Sequence, residues 1–410
     1  MSKPGLSSAF YRLWTASLAT NFGDGLLKVA GPLLAAYLTR DPVLISLTGA
    51  LATLPWLLVA IPVGGLADRH DRRLLLAAAN TARFLIAAVI ATLVYLDLMN
   101  IWLLLGALFL WGVCEVVMDT TANALMPQLL KASQLEKGNT RLNLAETVVQ
   151  DFVAVPISGL IYAVAIALPF AIGSLGFLAG ALLVLLIPAA QTAHGPREDG
   201  TEHHTFVEDM KFGVKFLAQD RELRRVVLVT AFIGFFYNLS NATFVLFVLD
   251  ELKMPERLFG VVMTIIGTGA FVGTMATTKF TARLGRGTTM AWAITLASLG
   301  FAFQGASPNY AVMALLGWLG VFAISSWNPL LMACYQVLIP KHLYGRVHGA
   351  RRTLVWGLGP FGMVIGGFVS NYGLRWPFLI GGLGSTVLAL ANFRFFQALG
   401  DRASSIPDEA

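Results

Sequence analysis

Ionisable side chains stand inside otherwise apolar stretches of this chain, among them Asp24, Lys28, Arg83, Glu115, Asp119 and Asp151. A charge at the centre of a bilayer costs about 2.5–3.5 kcal/mol even on the most lenient insertion scale, so each needs a partner or a purpose. Asp24 and Lys28 lie four residues apart, the spacing at which an acid and a base pair on one helix face. Two readings are open for them. They neutralise each other and merely tolerate burial, or the acid is one whose protonation follows a movable lysine or hydration, in which case its chemistry is proton uptake and release. Glu115 and Asp119 share the same spacing and repel unless one is protonated or countered. Arg83 is the internal cation left to counter Glu115, so Glu115 is either a proton carrier or half of an ion pair. Asp151 reaches about half-way into its stretch and is the third candidate. In the second half Asn238, Asn241, Gln304, Asn328 and Gln336 are polar, but no carboxylate lies deep, so proton handling is expected in the N-terminal half.

The elements that must position these groups are apolar spans. About 20 apolar residues match the roughly 30 Å hydrocarbon core. Twelve such spans are expected: Trp14–Leu38, Ile45–Ala67, Leu74–Leu96, Ile101–Leu125, Leu142–Ala163, Leu168–Ala190, Val226–Leu249, Phe259–Phe280, Thr288–Ala306, Tyr310–Leu338, Val347–Val369 and Pro377–Phe396. With 56% hydrophobic and 13% charged residues in 410, the composition excludes a soluble globule. The first span carries Asp24 and Lys28 and outruns a signal-peptide core, so it is expected to stay in the mature protein. With the N-terminus inside, external loops hold only Arg40, Lys253, Arg257 and Arg375, which places both termini in the cytoplasm. The net charge of +6 then anchors the chain to anionic lipid and does not call for nucleic acid. Cys114 and Cys334 fall in apolar spans, and the six histidines, the pair His203-His204 included, fall in cytoplasmic segments. No disulfide framework, metal cluster, nucleophile triad or phosphate loop is legible, so neither a cofactor nor an enzyme is expected.

The longest polar stretch, Gln191–Thr205, precedes an amphipathic segment with Val207, Met210, Val214 and Leu217 on one face. It separates an N-terminal half (1–190) from a C-terminal half (222–410), with 191–221 as the linker. The halves echo each other. Ala282-Arg283-Leu284-Gly285-Arg286 stands 214 residues after Asp68-Arg69-His70-Asp71-Arg72, and Pro360 with Gly362 stands where Pro156 with Gly159 stands 204 residues earlier. Duplicated six-helix halves imply a mid-membrane site and alternating access by rocking. Asp68, at a helix end beside Arg69, Arg72 and Arg73, can be held by guanidinium forks and by another helix's N-terminus, which makes a latch that breaks between states.

The run Gly64-Gly65-Leu66-Ala67-Asp68-Arg69-His70-Asp71-Arg72-Arg73-Leu74-Leu75-Leu76 resembles the signature of the major facilitator superfamily between its second and third helices, with Asp71 where that family usually has Gly. The resemblance covers essentially the whole chain. It implies an all-α membrane protein of 12 transmembrane helices in two pseudo-symmetric six-helix halves. Within the superfamily, the compact length, Asn21-Phe22-Gly23-Asp24 and Ala124-Leu125-Met126-Pro127 look most like bacterial drug, macrolide and siderophore exporters. That implies a monomer in the bacterial inner membrane that exchanges protons for hydrophobic or amphipathic cargo, powered by the proton gradient; a siderophore exporter or a lysophospholipid flippase is the alternative. The resemblance also assigns Asp119 to the latch with Arg72. It places Phe22, Lys28, Trp111, Phe235, Phe236, Asn238, Trp327 and Tyr335 on helices facing the cargo cavity, where aromatic walls suit bulky amphiphiles. Pro156, Gly159, Pro360 and Gly362 are read as hinge and packing positions. The family's full antiporter motif is absent, since Val155 precedes Pro156 and no Gly adjoins Gly159. Antiport therefore rests on the acids.

Overall fold

The computed structural model describes residues 6–59, 62–63, 65–66, 70–189, 206–340 and 343–405, and every regular element among them is helical. Helices α1 (Ser8–Leu38), α2 (Pro42–Thr53), α3 (Arg72–Tyr95), α4 (Ile101–Leu129), α5 (Ala132–Leu144), α6 (Val155–Val164) and α7 (Leu168–Leu185) come from the N-terminal half. After α8 (Phe206–Gln219) follow α9 (Arg221–Asn241), α10 (Phe259–Leu284), α11 (Arg286–Gly305), α12 (Tyr310–Leu338), α13 (Tyr344–Gly357), α14 (Gly359–Ser370), α15 (Trp376–Ala391) and α16 (Phe393–Ser405). Helices dominate because hydrocarbon offers no partner to a backbone amide, which must be satisfied within its own segment. Small polar residues start them. Ser7, Asn100, Asp220 and Asn309 accept from amides two or three residues on, at 2.8–3.1 Å.

Among the described residues eight helices are long and apolar enough to cross a membrane, or nine with one bent pair counted as a span, against the twelve spans expected. Of the expected spans not counted, α1 and α11 are continuous helices that are less apolar, and the second and twelfth are interrupted. The second span divides at Leu54 before Pro55, and the twelfth bends by 56° near Asn392 between α15 and α16. The fifth passes through a π-helical stretch, Ala145–Ala154, before Pro156 opens α6; a proline lacks the amide an interior position needs. The eleventh breaks at Leu358 before Pro360. Both segments still count as single spans, Ser133–Val164 and Gly349–Ser370.

Two compact units result. The first comprises Met1–Thr39, Leu51–Phe206 and Glu256–Val261; the second comprises Arg40–Ala50, Val207–Pro255 and Val262–Ala410. In the first, Phe10, Leu13, Leu76, Leu125 and Leu129 form an apolar core. In the second, Val226, Met290, Leu331 and Phe396 do the same. The amphipathic α8 forms where its pattern predicts, and Leu217 is buried in that second core. Close helix approach follows small residues. A Cβ on Gly260 would come within 2.2 Å of the Val155 carbonyl in the first unit, and one on Gly273 within 2.2 Å of the Phe322 carbonyl in the second.

The repeat is visible at its turns. Asp71 accepts from the Arg73 amide at 2.9 Å and caps α3, which accounts for an acid where the family has Gly. Its counterpart 214 residues on is Gly285, at φ +80° and with no side chain to cap α11. There Asp401, from α16, accepts from the Gly287 amide at 3.1 Å instead.

Candidate functional site

The first unit is built around Arg83. On α3 the residues Leu76, Asn80, Arg83, Ala87 and Ile90 recur at helical spacing and are all buried, so Arg83 points inward. Its side chain is 2% exposed. Its guanidinium lies 4.6 Å from the ring centres of both Trp111 on α4 and Phe177 on α7, which meet edge to face. The approach of Phe177 requires Gly23, where a Cβ would fall 2.6 Å from Phe177 Cζ. Arg83 Nη2 donates to Asp24 Oδ1 on α1 and lies 3.1 Å from Glu115 Oε2 on α4. One cation therefore joins carboxylates of two other helices. Asp24 is enclosed, at 19% exposure, whereas Glu115 stays open at 45%.

This arrangement corrects the expected pairing. Lys28 does not pair with Asp24 along the helix; it reaches Asp151 at 2.9 Å, and both side chains are about half exposed. The π-helical stretch that carries Asp151 packs so tightly on α1 that a Cβ on Gly25 would meet the Gln150 carbonyl at 2.5 Å, which brings Asp151 within the lysine's reach. All three candidate proton carriers thus bind a cation, two of them the same one. Phe22 is half-buried on α1.

Asp68 and Arg69 lie outside the described residues. Arg72 donates from Nη1 to the Ala124 carbonyl at 2.8 Å, tying α3 to the C-terminal part of α4, and Asp119 is half-buried on α4. Arg73 donates to the Ile187 carbonyl at 3.1 Å, closing the end of α7. Gly159 approaches Gly260 within the first unit, a Cβ there falling 3.2 Å from the Gly260 nitrogen.

In the second unit, Trp327 is buried in the core with its ring edge on Phe396, 4.8 Å between centres, and Tyr335 is fully buried on the same helix. Asn238 donates to the Gly234 carbonyl at 2.8 Å and packs against Gly359, beside Pro360. Phe235 and Phe236 meet edge to face; the Phe235 carbonyl abuts Gly362, and the Phe236 ring fills the space left by Gly384 on α15. Long aromatics on small-residue helices bury area by packing, and periodicity does not tell that from a cavity wall.

Apolar helices in two units, with paired charges enclosed within one of them, define a polytopic membrane transporter of the major facilitator type. The sequence model of the transmembrane secretion effector family matches residues 3–409, and the chain belongs to that family. It is 20% identical to macrolide efflux protein A of Streptococcus pyogenes over 377 residues, 91% of this chain and 92% of that one. It is 27% identical to the multidrug efflux pump Tap of Mycobacterium tuberculosis over 201 residues, 47% of this chain and 45% of the pump. The fold resembles the nucleoside transporter NupG (TM-score 0.75, 15% identity, 95% of this chain and 99% of that one). It equally resembles a bacterial homologue of the iron transporter ferroportin in an inward-facing state (TM-score 0.75, 14% identity, 96% and 100%). The family and these neighbours are transporters and not enzymes.

Proposed function

We propose that this transporter expels hydrophobic or amphipathic small molecules across the bacterial inner membrane in exchange for protons, with Asp24, Arg83 and Glu115 as the coupling centre. The observation that carries this reading is the sharing of one enclosed guanidinium by two carboxylates. Two acids and one base leave one negative charge over, and a low-dielectric setting resists it. One proton cancels it. Whichever acid takes the proton releases Arg83 to the other, so protonation shifts the guanidinium between α1 and α4, a discrete two-position element of the kind alternating access needs. Asp24 is the enclosed carrier and Glu115 the open one, through which the proton arrives. Asp151 with Lys28 is a further exchange point. The efflux relatives support the direction of transport. Asp68, Arg69, Arg72 and Asp119 serve as the cytoplasmic latch, both termini face the cytoplasm, and the chain works as a monomer.

The test is Asp24→Asn in proteoliposomes with an imposed pH gradient. The amide keeps size and polarity but cannot titrate, so uphill export should vanish while cargo binding at equilibrium persists. Uphill export at the wild-type rate would remove Asp24 from coupling.

A further inference from the structure

The second unit holds a buried cation to which no described carboxylate is paired. Arg351, on α13, is 7% exposed, yet among the described residues no carboxylate pairs with it. Its Nε has no hydrogen-bond partner, and Nη2 reaches the Met332 sulfur at 3.9 Å. The guanidinium stands 4.7 Å from the centre of the Tyr335 ring. The Tyr335 hydroxyl is fully buried, with Arg351 and Thr230 as its polar neighbours and no well-formed hydrogen bond to either. Thr230 donates its hydroxyl to the Val227 carbonyl of its own helix. Gln336 and Arg352, the next residues along the two helices, are exposed.

Contrast with Arg83 shows what is missing. Both arginines are buried and both lie over aromatic rings, but Arg83 has two carboxylates and Arg351 none. A guanidinium offers five donors in a planar fork matched to a carboxylate or phosphate, and a thioether and a ring face satisfy little of that capacity. The Tyr335 hydroxyl can offer Arg351 one neutral acceptor and can itself donate once more. Among the described residues the donors are gathered and no anionic acceptor faces them.

We propose that Arg351 and Tyr335 form a recognition site for the anionic group, a carboxylate or phosphate, of an amphipathic molecule whose tail lies along the apolar side chains around it. This rests on the reading of amphipathic cargo above and adds its charge: the molecule carries an anionic head. Two sources share that chemistry, a transported amphiphile and a phosphate headgroup of the surrounding lipid.

The experiment uses the full chain in phosphatidylcholine nanodiscs, with no pH gradient. Dodecyl phosphate and dodecyltrimethylammonium, which differ in head charge and share a tail, are titrated by calorimetry. Wild type should bind dodecyl phosphate at least tenfold more tightly than Arg351→Gln does, with the ammonium amphiphile indifferent to the change. Tyr335→Phe keeps the ring and removes one donor, so it should weaken dodecyl phosphate about threefold; this variant decides the matter if Arg351→Gln does not fold. Unchanged dodecyl phosphate binding in a folded Arg351→Gln, or in Tyr335→Phe where the first variant is lost, would overturn the site. Replacing a third of the lipid by phosphatidylglycerol separates the sources. Competition by the lipid that depends on Arg351 identifies a headgroup site, and Arg351-dependent dodecyl phosphate movement in proteoliposomes without such competition identifies a cargo site. Because binding is read at equilibrium, a failure of proton coupling leaves this result standing, and loss of this site leaves the Asp24 test standing.

Discussion

Asp24 and Glu115, on helices α1 and α4, share a single counter-ion, the Arg83 guanidinium of α3. Removing that arginine strands two acids, and breaking a buried pair costs about 3–5 kcal/mol. Arg83→Leu should therefore express poorly and melt early. Glu115→Gln should fold well, because Asp24 remains paired and Glu115 is half exposed. The double change Arg83→Leu with Asp24→Asn should recover folding without recovering pH-driven export. Thermal melts and proteoliposome export check the set, and export regained in the double variant would reduce the cluster to a structural ion pair.

The Lys28–Asp151 pair is about half exposed on both sides, and such pairs are worth roughly 0–1 kcal/mol. Lys28→Met should shift the melting temperature by no more than about 4 °C at the 2–4 °C per kcal/mol expected of a large domain. A far larger fall would show that the pair is shielded from water in the folded protein.

Two acids cap equivalent helices by different routes. Asp71→Ala should destabilise the start of α3 by about 0.5–2 kcal/mol through the lost cap. Asp401→Ala should loosen α11 through a residue 114 positions away from the amide it holds. Hydrogen exchange at the first turns of α3 and α11 reads each effect separately. Asp71→Ala that protects as wild type does would remove the cap explanation for the departure from the family signature.

Gly273 and Gly267 lie on the same helix and should respond in opposite senses to alanine. A Cβ at Gly273 meets Ser325 Oγ at 2.1 Å and the Phe322 carbonyl at 2.2 Å, whereas one at Gly267 meets nothing within 4 Å. Gly273→Ala should destabilise by about 1–3 kcal/mol through overpacking. Gly267→Ala should be neutral or stabilise by up to about 1 kcal/mol through helix propensity. Equal melting temperatures for the two would contradict the close contact of α10 with α12.

Much of the molecule was legible before any coordinate. Hydrophobic length announced the membrane, the signature and the repeat announced the transporter type, and the rarity of charges in apolar spans singled out Asp24, Glu115 and Asp151, all of which hold ion pairs. The central place of Arg83 was also within reach, since Leu76, Asn80, Arg83, Ala87 and Ile90 mark it as belonging to the buried face of its helix. Partner choice was not. Spacing along one helix allowed Asp24 with Lys28, but the register of three helices decided for Asp24 with Arg83 and Lys28 with Asp151, because a long cation takes whichever carboxylate the packing brings nearest. The same holds for Trp327, Tyr335 and Arg351, whose burial depends on which helices cover them. Local pattern determines that a segment is helical, apolar and within the membrane; which side chains meet is set by contacts between segments far apart in the chain, and a charge in hydrocarbon is defined by those contacts.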